Sequence, residues 1–214
     1  MKQHVMVKRK SLGRPTKDEA AAIDVRVLDA ARLLFSQKGI ANSSIDELAG
    51  TLGVSKHTIY RRYASKAQLL NAVVERDINA FRNELSSAGA KTTDKLESLH
   101  EVALRYFKFG SSRDYSAFYL LVSAEAVVSP DLRERLAEWT KSALQPLLNA
   151  VSLAQSAGHL RSGSVTSICE ILIDLLEGAN NRVRMRDATP ISSHAARKLF
   201  DDRWDVFVKA MASE

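Results

Sequence analysis

Between Ser55 and Lys66 the chain crowds together Lys56, His57, Thr58, Tyr60, Arg61 and Arg62, a run of cations and neutral hydrogen-bond donors. No carboxylate interrupts it, and His57 has no second His or Cys at the spacing a metal site needs. The chemistry such a set performs is anion recognition. Guanidinium and ammonium groups reach phosphates and the acceptor edge of guanine, while hydroxyl and imidazole groups add donors within a groove. Side chains can act together in this way only from one face of a rigid element.

The neighbouring residues supply that element. Ile45, Leu48, Ala49 and Leu52 recur on one helical face. Ala49 is small enough for a second helix to cross close by. Gly53 follows where the chain must turn sharply, and glycine takes positive φ at little cost. Val54 and Ile59 complete a small core, and Ser55 is placed to cap the second helix. Residues 44–63 therefore predict a helix-turn-helix with a basic, polar second helix. Such a helix fits the DNA major groove. The plainer alternative is a helical hairpin with solvated charges; agreement of spacing, caps, core and basic face favours the groove.

The rest of the chain also reads as helix. Apolar residues recur at three- and four-residue spacing, and no stretch alternates at period two. Thr16–Glu19, Ser44–Glu47 and Ser65–Gln68 are capping boxes, and Ser129-Pro130-Asp131 opens a further helix. The expectation is an all-α protein of about nine helices, beginning near residues 17, 45, 56, 66, 93, 114, 130, 164 and 192. Pro146 predicts a kink or break in the helix that starts at 130. Charge divides the chain as well. Residues 1–66 hold 13 Lys and Arg against 6 Asp and Glu, whereas residues 67–214 hold 18 against 19. The expected organisation is a basic arm over 1–16, the helix-turn-helix domain over 17–66 and a helical domain over 67–214. Cys169 stands alone, which excludes a disulfide scaffold. The longest apolar run, Ala117–Val122, is far short of the roughly 20 residues of a membrane span. No apolar stretch follows the basic N-terminus, so a cytoplasmic protein without membrane or cofactor partners is expected.

With these residues in view, Ser44–Lys66, including Ile59-Tyr60-Arg61-Arg62-Tyr63 and Ser65-Lys66, resembles the TetR family of bacterial transcription regulators, and the match extends over residues 20–75. Residues 120–161, with Ala124-Glu125, Pro130-Asp131-Leu132 and Gly158-His159-Leu160, are similar to its AefR-like branch. The resemblance implies roles. Lys56, His57, Thr58 and Arg61 stand where the family contacts bases, and Arg61 suits bidentate pairing with guanine. Ser44, Ser55, Tyr60, Arg62 and Lys66 are candidate phosphate contacts, Ser44 and Lys66 being at helix N-termini. Pure core packing is the alternative for Tyr60. Tyr63 stands where the family usually has Phe, and packing is expected of it. Arg14, within Gly13-Arg14-Pro15, is a candidate minor-groove reader, against the alternative of a tail with only non-specific attraction.

For the remaining two thirds the resemblance implies a homodimer on a palindromic double-stranded operator, released by a small, often lipophilic effector. Broad apolar stripes on the last two helices place the dimer interface at Ile168, Leu172, Leu175, Leu176, Ala179, Leu199, Trp204 and Phe207, with a monomeric core as the alternative. Leu99, Val102, Tyr106, Phe118, Val122, Glu125, Leu147 and Val151 are candidate effector-pocket residues, with Phe81, Tyr119 and Glu177 beside them, although an apolar stripe is more often plain core. Effector binding would tilt the helix from 66 and alter the separation of the recognition helices. An enzyme delivered to DNA would need clustered carboxylates, or a Ser or Tyr nucleophile in a basic site, and neither is evident. A non-enzymatic regulator is expected. An activator or an effector-independent DNA-binding protein of the same fold are the adjacent readings.

Overall fold

Helix caps set the architecture. In the computed structural model, which describes residues 17–185 and 192–213, Ser44, Ser65, Ser129, Ser164 and Ser192 each accept a backbone N–H three residues on. Arg14, the rest of the expected arm and Thr16 lie outside the described residues. Among those described, nine helices follow in order: α1 Lys17–Lys38, α2 Ile45–Leu52, α3 Lys56–Tyr60, α4 Lys66–Gly89, α5 Lys95–Ser111, α6 Arg113–Val128, α7 Pro130–Ser156, α8 Val165–Arg184 and α9 Ser193–Met211. Each start falls within two residues of its expected position. The capping boxes are only half closed. Glu47 pairs with Lys38 instead of returning to Ser44, and Gln68 Oε1 accepts from the Ala64 N–H, one residue before the cap, at 3.0 Å.

Pro146 does not break its helix: α7 runs uninterrupted from Pro130 to Ser156. Proline inside a helix costs about 3 kcal/mol. Leu147, Ala150, Val151 and Ala154, just beyond it, are buried against neighbouring helices, and their packing offsets that cost.

Two apolar cores organise the molecule. The first joins Val27, Ala31 and Phe35 of α1 to Ile45, Leu48 and Ala49 of α2 and Ile59 of α3. It also contains Leu69, Leu70, Val73 and Val74 of α4, and Phe118 and Val122 of α6. Residue 66 is therefore not a packing boundary, because α1–α3 offer too little apolar surface to close alone. The second core gathers α5, α7, α8 and α9 with the far half of α4.

This second core corrects two sequence expectations. Ile168, Leu172, Leu176, Ala179 and Phe207, expected at a dimer interface, are buried inside the subunit; Leu175, Leu199 and Trp204 border the same core but stay partly exposed, and of the expected set only these three are left for a partner. Most of the wide stripe of α8 is taken up by α5, α7 and α9, and Ile171 and Leu175 stay partly exposed. Leu99, Val102, Leu147 and Val151, expected to wall a pocket, are at most 2% exposed and enclosed by apolar neighbours.

Where α5 meets α8, Gly110 leaves room for Asn180: a Cβ there would lie 2.1 Å from Asn180 Nδ2. Gly110→Ala is expected to lower stability by about 1–3 kcal/mol. The measurement is a fall in the urea midpoint at unchanged slope; an unchanged midpoint would show that α8 yields freely.

Candidate nucleic-acid interface and internal cleft

Gly53, at φ 65°, turns the chain between α2 and α3, and the Val54 N–H donates to the Ala49 carbonyl at 3.1 Å. Ala49 and Ile59 are buried, with Val54 half-buried beside them. Ser55 accepts the Thr58 N–H at 3.2 Å and shares a hydroxyl–hydroxyl bond with Thr58 at 2.9 Å. Opposite this core, α3 and the residue after it expose Lys56, His57, Tyr60 and Arg61. Lys56 Nζ lies 3.4 Å from Asp46 Oδ2, both well exposed, a pair whose worth of about 0–1 kcal/mol leaves Lys56 easily redirected. The Arg61 side chain has no hydrogen bond or ion pair among the described residues. Tyr60 is 45% exposed, so its ring is not in the core.

Three neighbours are committed inward instead. The Lys66 ammonium donates to the carbonyls of Ile40, Ala41 and Ser43 at 2.7, 3.0 and 3.0 Å. An ammonium has three N–H donors, so none remains for a phosphate. Arg62 Nε donates to Asp24 Oδ1 of α1 at 2.5 Å with its side chain 13% exposed. Tyr63 packs on the first core, where burial and the Asp24 charge raise its pKa. Arg62 and Lys66 thus brace α3 and α4 against α1 and its following loop. Their acceptors, a carboxylate 38 residues away and three loop carbonyls, leave no local sequence signal.

A cleft runs between α4, α5, α6, α7 and α8 as two adjoining cavities that share Tyr115, Tyr119, Thr140 and Ala143. One reaches toward the first core and meets Val74, Asp77, Phe118, Val122 and Trp139. The other, of about 170 Å³, meets Phe81, Tyr106, Gly110, Glu177 and Arg184. Of the expected pocket residues, Tyr106, Phe118 and Val122 line the cleft; Glu125 lines neither cavity. Sequence reasoning missed Asp77, Tyr115, Trp139, Thr140 and Arg184, which alternate with buried core positions on their helices.

The charged lining groups are paired. Glu177 Oε1 accepts from the Tyr106 hydroxyl at 3.0 Å and from Asn180 Nδ2 at 3.1 Å, while Oε2 lies 3.0 Å from Arg184. Arg184 Nε also donates to the Gly110 carbonyl at 3.1 Å. Asp77 pairs with Arg32 of α1 at 2.6 Å and with Arg76 at 3.2 Å, and Arg76 with Asp29 at 2.6 Å. The Arg32 guanidinium also lies 5.2 Å from the Phe118 ring centre. Burial, helped by Asp77, pushes the Tyr115 phenol up to about 12. Burial and Glu177 hold Tyr106 well above its ordinary value. Among the described residues no three His, Cys, Asp or Glu side chains group to hold a metal, and no helix is long and apolar enough to cross a membrane.

Residues 27–73 match the family model for bacterial regulatory proteins of the tetR family. The chain is 32% identical over 94 residues to the HTH-type transcriptional regulator AcrR of Shigella flexneri, covering 44% of each. It is 25% identical over 127 residues to the HTH-type transcriptional activator FasR of Mycolicibacterium smegmatis, covering 59% of this chain and 58% of that one. The chain thus spans about half the length of these curated relatives. A putative TetR-family transcriptional regulator from Mesorhizobium loti shares the fold, with a TM-score of 0.77 at 19% identity over 92% of this chain and all of that one. Residues 27–73 are thus the part of the chain that is similar to the TetR family. The N-terminal domain is that of a DNA-binding transcriptional regulator. None of these three relatives carries the AefR designation suggested by residues 120–161.

In this TetR-family domain, Lys66→Met is expected to cost about 1–3 kcal/mol by stranding three carbonyls. Arg61→Ala should leave the melting temperature unchanged while weakening DNA binding. A Lys66→Met variant that melts like wild type would remove the bracing role. The cleft phenols make a pH prediction. Their folded pKa values are raised, so the stability they contribute is full below pH 10 and is lost at higher pH, for Tyr115 as pH rises toward 12. Ultraviolet titration of the folded protein should show Tyr115 largely un-ionised at pH 11 and Tyr106 ionising later than an exposed tyrosine; complete ionisation of both by then would contradict the burial.

Proposed function

We propose that the protein is a homodimeric repressor that holds a palindromic double-stranded operator in the cytoplasm and releases it when a small molecule occupies the cleft. The observation that carries this is the exposed row of Lys56, His57, Tyr60 and Arg61, on a helix-turn-helix whose neighbouring cations Arg62 and Lys66 brace the domain. Lys56, His57, Thr58 and Arg61 read base edges, while the exposed Ser44, Ser55 and Tyr60 hold phosphates. Arg14 would extend the contact into the minor groove.

A five-residue α3 reads few bases, so a twofold partner is required for a specific site. The surface left for that partner is the outer side of α8 and α9. There Ile171, Leu175 and Gly178 make one stripe, and Leu199, Arg203 and Val206 another, all at least partly exposed. Gly178 has open space where a Cβ would stand, which permits close helix approach. Release follows if the effector binds the arrangement whose recognition helices are mis-spaced more tightly than the DNA-bound one. Activation, the role in FasR's name, needs only a different operator position.

Selection from random DNA at fixed physiological salt should enrich a palindrome with wild type and lose it with Lys56→Ala/Arg61→Ala. Equal binding without any enriched motif would defeat the assignment of α3. Ile171→Asp/Val206→Asp should give a folded monomer by sedimentation, with operator affinity at least 100-fold lower; a persistent dimer would move the interface elsewhere.

A further inference from the structure

We infer that the molecule taken by the cleft is uncharged, carries fused or aromatic rings, and bears a hydroxyl or carbonyl oxygen. The inference rests on the cleft being the effector site and adds the chemistry of the occupant.

The walls are rich in rings. Phe81, Tyr106, Tyr115, Phe118, Tyr119 and Trp139 line the two cavities. Of the five tyrosines in the chain, Tyr60 and Tyr63 belong to the helix-turn-helix, and the other three all face this cleft. Phe81 and Tyr115 lie nearly parallel, 23° apart with centres 5.7 Å apart, and Tyr106 is tilted against Phe81 at 6.0 Å. Flat rings stack offset or edge-on against such surfaces.

The charged lining groups are already answered. Asp77 is held by Arg32 and Arg76, and Glu177 by Arg184, Tyr106 and Asn180. No Lys or His lines either cavity. A carboxylate or ammonium entering here would lose its water and find each counter-charge in another pair, which is costly. Aromatic walls can attract a cation, but Arg32 already lies against Phe118. The polar groups left over are neutral. The hydroxyls of Tyr115, Tyr119 and Thr140 have no hydrogen-bond partner among the described residues. Hydroxyls both donate and accept, so they serve a ligand hydroxyl or carbonyl equally.

The test compares three probes of one skeleton at pH 7 by calorimetry on the full-length protein: 2-naphthol, 2-naphthoate and 2-(aminomethyl)naphthalene. The expected result is that 2-naphthol binds at least tenfold more tightly than the anion or the cation. Tyr119→Phe/Thr140→Val should weaken 2-naphthol roughly tenfold, the loss of about two ordinary hydrogen bonds, and leave plain naphthalene unaffected. Equal or tighter binding of a charged probe, with the double variant still weakening it, overturns the ligand class and leaves the cleft as a ligand site. Heat from none of the three, in protein that still retains its selected DNA, overturns both this inference and the effector reading on which it rests.

Discussion

The constraint on which the rest of the molecule depends is that its DNA-binding helices cannot bury themselves. α2 has eight residues and α3 five, and together with α1 they leave Ile59, Leu48 and Phe35 needing cover. The cover comes from Leu69, Leu70, Val73 and Val74 of α4 and from Phe118 and Val122 of α6. Burying such side chains is worth about 1.5–3 kcal/mol each, so the orientation of α3 is tied to two helices that continue into the second core. Lys66 and Arg62 add direction to this apolar attachment. Hydrogen bonds to three carbonyls and to Asp24 fix where α3 points, which apolar packing alone specifies poorly.

The same arrangement places the cleft against the attachment. Phe118 and Val122 belong to the first core and also line the cavity, and Asp77 lines it while pairing with Arg32 of α1. On the proposed reading, an occupant need not act at a distance. It would press on side chains that hold α1 to α4, and α4, of 24 residues and about 36 Å, would carry the displacement.

What the sequence disclosed and what it withheld follow from the range of the interactions. Helix starts depend on caps such as Ser44, Ser55 and Ser65, which act across three residues and can be read locally. The helix-turn-helix core, with Ala49, Gly53 and Ile59, was legible for the same reason. The destination of an apolar face was not. Leu172 and Phe207 have the spacing of an interface and that of a core, and only the three-dimensional neighbours decide. That α7 continues through Pro146 without a break was not legible, because the local rule weighs one lost hydrogen bond and cannot see Leu147 and Val151 packing beside it. Lys66 looked like a phosphate ligand because its acceptors are backbone carbonyls, which no side-chain pattern reveals.

The membership of Phe118 and Val122 in the first core also bears on how this chain could be recombined with its relatives. A regulator assembled by joining one family member's helix-turn-helix to another's sensing domain at residue 66 would look complete in sequence. It would nevertheless bring a foreign α4 and a foreign α6 against α1, with the Arg32–Phe118 and Arg32–Asp77 contacts replaced by whatever the donor supplies. The transferable unit is therefore discontinuous. It comprises α1 to the middle of α4 together with the inward face of α6, and hybrid proteins that respect that division should keep the packing that orients α3.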